Sequence, residues 1–153
     1  MSTDPLIIEF EVDVAPAQAF DTWTLMCATW WPSSHTISGD PSAITFEPRP
    51  GGRIVEHGAG GSEHDWGKVL DWQPPTRLRY LWHLFFDASE ATEVEITFTP
   101  VEDRTAVRLE QRGWEQLAEA GRVRRARTEQ AWSSLTAHFI RACEGSAQPS
   151  PGR

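Results

Sequence analysis

The chain has 153 residues, with 14 Lys and Arg against 22 Asp and Glu, and a formal net charge of −8. That length suits one ordinary domain, which at this size buries roughly 70% of its unfolded surface and needs no disulfide or metal staple. An acidic chain with no apolar run near the ~20 residues of a bilayer span suits neither phosphate backbones nor membranes, so neither nucleic acid nor membrane is expected as a partner.

Residues 6–14 open the fold. Ile8, Phe10 and Val12 alternate with Glu9, Glu11 and Asp13, the period-two pattern of a strand buried on one face. Pro16 suits a first helical turn, and Ala19, Phe20, Trp23 and Leu25 recur at helical spacing, so a short helix is predicted over 16–24. A second helical piece is expected over 26–31, stopped by Pro32. Strands over 43–47 and 53–57 flank Pro48-Arg49-Pro50-Gly51-Gly52, where proline followed by glycine suits a type II turn. Gly58 to Ser62 reads as a flexible loop. Strands are then predicted over 64–73, 78–86, 92–99 and 106–112, the first two separated by Pro74-Pro75. Val94, Ile96, Phe98, Val107 and Leu109 share the inward face, while Glu93, Glu95, Arg108 and Glu110 face outward, where opposite charges pair across strands.

A long helix over 122–143 ends the fold, with Thr128, Trp132, Leu135, Phe139 and Ala142 forming one stripe. Residues 1–143 are expected to form the single domain, and the small, polar, proline-bearing residues 144–153 a disordered tail. Strands joined by short turns run antiparallel, and the terminal helix alone is long enough to cover their apolar face. A curved sheet gripping a cylinder leaves a cavity between the two.

Cys27 and Cys143 read as reduced, buried thiols, since a disulfide framework shows more cysteines at closer spacing. The first residues carry no basic segment before an apolar one, so no signal peptide is read and a cytoplasmic location is expected. Arg122, Arg124, Arg125 and Arg127 form the one basic cluster. It reads as a solvated face at a helix start, with a seat for an acidic partner as the alternative.

The ordered motifs resemble a known family. They are Phe10-Glu11-Val12 leading to Phe20-Asp21-Thr22-Trp23, Trp30-Trp31-Pro32, Arg49-Pro50-Gly51-Gly52-Arg53 and Gly67-Lys68-Val69. Then come Pro74-Pro75-Thr76-Arg77-Leu78 running into Tyr80-Leu81-Trp82, Gln111-Arg112-Gly113-Trp114, and the terminal helix with Trp132 and Leu135. Over residues 6–142 the chain resembles the bacterial single-domain relatives of the activator of the ninety-kilodalton heat-shock chaperone's ATPase, in the START-like or SRPBCC superfamily. The resemblance implies an α+β helix-grip fold: a curved antiparallel sheet of about seven strands wrapped on a long C-terminal helix, with two short helices after the first strand. It leaves function open, because this fold hosts lipid carriers, polyketide cyclases, hormone receptors and co-chaperone domains.

In the fold so implied, Trp30, Trp31, Trp66, Trp82 and Trp132 line or close the cavity, and eight tryptophans against one tyrosine make such a lining notable. With Phe46, Val55, His57 and Val94 they are the candidate ligand-binding residues, suited to a small hydrophobic or aromatic molecule. The same rings without a ligand would simply fill the core. His57 and His64 flank one hairpin loop, but no metal-ligand spacing joins them to His83 or a cysteine, so no metal and no cofactor are expected. Lys68, the only lysine, faces the cavity if Trp66, Leu70 and Trp72 alternate strictly, and solvent if Val69 is the inward residue. Glu56, Glu63, Asp65 and Asp87 are scattered near loop ends and form no acid–base pair, so no catalytic residue is assigned. Leu81 and Phe85 are left on the outer face of their strand and mark a candidate homodimer surface. The alternatives to a ligand carrier are a chaperone-related interaction module and a polyketide cyclase or aromatase, the last drawing on His57, His83 or Lys68.

Overall fold

The alternating segments pair into one seven-stranded antiparallel sheet in the computed structural model, which describes residues 2–147. In chain order the elements are β1 (Leu6–Val12), α1 (Pro16–Trp23), α2 (Cys27–Trp30), β2 (Ala43–Phe46), β3 (Arg53–His57), β4 (Glu63–Gln73), β5 (Arg77–Trp82), β6 (Thr92–Val101), β7 (Arg104–Arg112) and α3 (Glu119–Ala147). The strands lie in the order β1-β7-β6-β5-β4-β3-β2, so the first strand closes against the last. This is the helix-grip arrangement expected from the sequence.

Turn chemistry sets much of the register. Gly52 N–H donates to the Arg49 carbonyl at 2.9 Å, and Gly51 between them has φ of 83°, the left-handed conformation that the third position of a type II turn requires. On the outer face the predicted charge pairs form. Arg77 reaches Asp71 and Glu95, both at 2.6 Å, Arg79 reaches Glu93 at 3.0 Å, and Arg112 bridges Glu93, Glu95 and Glu110.

Strand β4 departs from strict alternation twice. Ile54 opposes Gly67 and Val55 opposes Asp65, which leaves Trp66 as an extra residue; Val69 opposes Tyr80 and Asp71 opposes Arg79, which leaves Leu70 as another. The two bulges turn Trp66, Val69 and Trp72 toward the helix and Lys68 into solvent. Gly67 is required at this crossing, because a Cβ there would lie 2.0 Å from the Leu81 carbonyl oxygen.

Strand β3 is one residue out of the expected phase. Ile54 and Glu56 pair with the inward Phe46 and Ile44, so Val55 and His57 take the other face; Val55 is buried there, outside the main core. Strand β5 ends at Trp82 instead of continuing to residue 86. Phe85 lies beyond it with φ of 71°, so it leaves the face that carries the half-buried Leu81.

Helix α3 has 29 residues, about 43 Å by helix geometry, and presents Trp132, Leu135, Thr136, Phe139 and Cys143 to the sheet. It continues through the first residues of the expected tail, to Ala147; residues 148–153 of that tail lie outside the described residues. Helices α1 and α2 lie in the trough over its C-terminal half. There Phe20 packs on Trp72 and Phe98 with ring centres 5.1 and 5.4 Å apart, and Trp23 packs on Phe139 at 4.9 Å. Both cysteines are free and buried, and burial pushes both thiols up, that of Cys143 to about 12. Neither is a nucleophile at neutral pH.

Candidate functional site

Among the described residues, none fills the trough over the other half of α3. A cavity of about 750 Å³ opens there between residues 120–135 of α3, the end of β5 and the segment that follows it, and His35. Its volume is in the range that holds a small organic molecule.

Trp31, Trp82 and Trp132 form the aromatic floor. Trp31 sits between the other two, with ring centres 5.6 Å from Trp82 and 6.1 Å from Trp132, both edge to face. Each indole is fixed from behind where a polar partner exists. Trp31 donates to the His35 carbonyl at 3.0 Å, and Trp132 donates to Gln111 Oε1 at 2.8 Å. Gln111 in turn donates to Thr92 Oγ1 at 2.9 Å, so its amide is spent on orienting Trp132. Preset rings lose little entropy on meeting a ligand.

The outer wall is the segment between β5 and β6. Leu84 is buried, Phe85 and Phe86 are exposed, and a short turn over Ala88–Glu90 is capped by Asp87. Two side chains hold it. The His83 ring bonds the Phe86 carbonyl at 3.1 Å and lies 3.6 Å from Asp65, while Arg124 of α3 donates to the Glu90 carbonyl and lays its guanidinium over the Phe86 ring at 3.7 Å.

Of the nine candidate lining residues, the structure brings Trp31, Trp82 and Trp132 to the cavity. Trp30 stands behind Trp31, its indole donating to the Thr22 carbonyl at 2.8 Å among Trp23 and Phe139. Trp66 packs at 5.5 Å on both Trp31 and Trp82, one layer deeper. Phe46 lies against Tyr80, and Val94 is sealed between Tyr80 and Gln111 in the sheet. Val55 and His57 face away because of the phase of β3, and His57 stands 3.7 Å from Glu63 at the hairpin. His83 and Lys68 do not line the cavity either. Among the described residues no group of three or more His, Cys, Asp and Glu is placed to hold a metal ion.

Two polar residues of the site were visible in the sequence pattern without being read from it. Gln111 continues the inward series Val107, Leu109, and Arg124 stands four residues before Thr128 on the buried stripe of α3. The basic cluster therefore divides. Arg122 pairs with Glu119, and Arg125 bonds the Asp4 and Pro5 carbonyls, whereas Arg124 turns inward and Arg127 stands on the cavity lining.

Glu56 is a second feature missed. Its carboxylate is fully buried behind Trp66, accepting the Ile37 and Ser38 N–H groups at 2.7 Å each and the Trp66 indole at 3.0 Å. Burial pushes its pKa up, but the Ser38 side chain, these two backbone donors and the indole together hold it below the ordinary value. The carboxylate ties the segment after α2 to the sheet.

A curved antiparallel sheet closed on a long C-terminal helix, with an aromatic cavity between them, defines a helix-grip protein. The chain belongs to the family of activator of Hsp90 ATPase homolog 1-like proteins, which matches residues 13–141. No curated protein matches it. Among solved structures it is similar to the self-sacrificing resistance protein CalC from Micromonospora echinospora, at 20% identity and TM-score 0.74 over 97% of this chain and 99% of that one. It is similar to the Aha1 dimer from Colwellia psychrerythraea at 17% identity and TM-score 0.68, over 94% of this chain and 98% of that one. Txn09, an anthrahydroquino-γ-pyrone synthase, is 31% identical with TM-score 0.55, over 71% of this chain and 75% of that one. No described helix is long and apolar enough to cross a membrane.

Proposed function

We propose that the protein binds a small, flat, hydrophobic or aromatic molecule in the cavity between sheet and C-terminal helix. The observation that carries this reading is the convergence of Trp31, Trp82 and Trp132 on an open space of about 750 Å³ in an otherwise filled trough. The three rings, in edge-to-face contact with one another, make a continuous apolar floor on which a planar ring system can lie. Titration with N-phenyl-1-naphthylamine, followed by dye emission and tryptophan quenching, tests it. Saturable micromolar binding that Trp132→Ala abolishes is expected, and no binding of this or any flat apolar dye would overturn the reading.

A second reading, chemistry on the bound molecule, draws on the 31% identity with a synthase. His35, Gln116, Arg124 and Arg127 are among the polar groups on the lining with capacity left for a substrate, whereas the Gln111 amide is committed to Trp132 and Thr92. Product formation from an aromatic polyketide substrate, lost in His35→Ala or Arg124→Gln, is its test. Activation of a chaperone ATPase, which the family description names, is tested by adding the protein to the bacterial chaperone and measuring ATP turnover. A homodimer through Leu81 on the sheet face and Phe85 on the cavity wall is tested by sedimentation velocity, which should show dissociation in Leu81→Ala or Phe85→Ala.

A further inference from the structure

We infer that the molecule taken by the cavity is an acid, its apolar body on Trp31, Trp82 and Trp132 and its anionic group, a carboxylate, phenolate or sulfonate, on Arg124. The inference rests on the ligand-binding reading above and adds the charge of the occupant. Arg124 is only 8% exposed, yet it has no carboxylate in ion-pair reach among the described residues. Its neighbours on the helix do: Arg122 lies 3.7 Å from Glu119, and Arg125 lies 3.7 Å from Glu129. Glu90 is the one acid on the cavity lining, and its Oε1 faces the Asp87 N–H of its own cap at 3.4 Å. The guanidinium thus donates to the Glu90 carbonyl and rests on the Phe86 face, and its planar fork of five N–H groups has donors to spare.

A cation taken out of water without a counterion is costly, and proteins keep such groups paired unless something else supplies the charge. Burial holds the Arg124 pKa below its ordinary value, the Glu90 charge offsetting only part of the effect. Even so, arginine stays protonated at neutral pH. Arg127, one turn further along, stands on the same lining at the exposed mouth and adds positive potential. The chain as a whole is strongly acidic, with a net charge of −8, so this is a local cationic patch on a protein that otherwise repels anions.

The spacing sets the size of the ligand. Arg124 and Trp132 are eight residues apart on one helix face, about 12 Å along the axis, the length of a two- or three-ring acid.

Paired dyes of one shape test this. 1-Anilinonaphthalene-8-sulfonate and N-phenyl-1-naphthylamine share their rings and differ by the sulfonate. The wild-type protein should bind the sulfonate at least tenfold more tightly at low salt, and that advantage should shrink as salt is added while the neutral dye is unaffected. Arg124→Gln, which keeps a donor for the Glu90 carbonyl, should bring the ratio of the two dyes' affinities close to one, whatever it does to either affinity through the cavity wall. Equal binding of the two dyes by wild type overturns the inference and leaves the cavity reading standing. Failure of both dyes overturns the cavity reading itself. Should Arg124→Gln fail to fold, Arg124→Lys and the wild-type salt titration decide, because a salt-independent preference also overturns it.

Discussion

The two halves of α3 face the same sheet and end in different chemistry. Toward its C-terminus, Phe139 meets Trp23, Trp30 and Phe10 at ring-centre distances of 4.9, 5.3 and 6.0 Å, and the space is packed. Toward its N-terminus, Arg124, Ala131 and Trp132 look onto an open cavity. The sheet is not the cause, since β5, β6 and β7 run under both halves with continuous pairing. The cause is α1 and α2, which fill one end of the trough and stop at Trp31. A helix-grip core is therefore a filled site and an unfilled one on a common wall, and stability and binding are separable along one helix.

Truncation at the filled end should have the largest effect. Trp23→Ala removes a fully buried indole that touches Trp30, Trp132 and Phe139, and it should cost about 3–5 kcal/mol in urea unfolding. Trp31→Ala, on the boundary with a cavity already present, should cost less, about 2–3 kcal/mol, while abolishing binding of the apolar dye. Equal losses for the two would show that the halves are packed alike.

Next in size is the buried carboxylate. Glu56→Gln presents an NH₂ where donors converge on an oxygen, and it should cost about 1–3 kcal/mol at neutral pH. The pH dependence has a definite sign. Glu56 is held below the ordinary glutamate value of 4.5, and so are Glu93 and Glu95. For Glu93 and Glu95 partial burial pushes up, and hydrogen bonds from Arg79 and Arg112, and from Arg77 and Arg112, outweigh it. Groups depressed in the folded state contribute stability above the unfolded value, and that stability is lost as pH falls through their lower folded values. Unfolding free energy should therefore be level above pH 4.5 and drop below it. In Glu56→Gln the drop should be shallower, and the part that remains should shrink as salt is added, since it comes from the more exposed outer-face pairs that salt screens.

How much of this was legible in the sequence follows from periodicity. Alternation over Val94, Ile96 and Phe98 and the stripe from Thr128 to Ala142 place the sheet and the helix, because each reports which face is apolar. The same rule misplaces Val55 and His57, because Ile54 and Val55 are adjacent apolar residues and either phase of β3 fits them. It leaves Lys68 undecided, because a bulge inserts one residue into β4 and inverts every parity beyond it. The cavity was legible only in part. Trp31, Trp82 and Trp132 are aromatic in sequence and in space, but Trp30 and Trp66 are equally aromatic and sit one layer behind them. What separates the layers is where α2 ends, a tertiary fact. Arg124 was readable as a charged residue on an apolar stripe, a local inconsistency of the kind that marks sites.

The smallest expected change in stability gives the sharpest contrast between the halves. Ala19 and Ala131 each face the space between helix and sheet, Ala19 fully buried on α1 and Ala131 half-buried on the cavity lining. The same enlargement should act oppositely at the two places. Ala19→Phe forces a ring into closed packing and should cost about 1–3 kcal/mol or more, with no cavity to relieve it. Ala131→Phe places its ring in open space beside Trp132, gains apolar contact there, and should change stability by less than about 1 kcal/mol. It should nonetheless abolish binding of N-phenyl-1-naphthylamine, because the ring occupies the volume the dye needs. Urea midpoints and dye titrations of the two variants read both quantities, and an Ala131→Phe variant that binds the dye as wild type does would move the ligand away from α3 altogether.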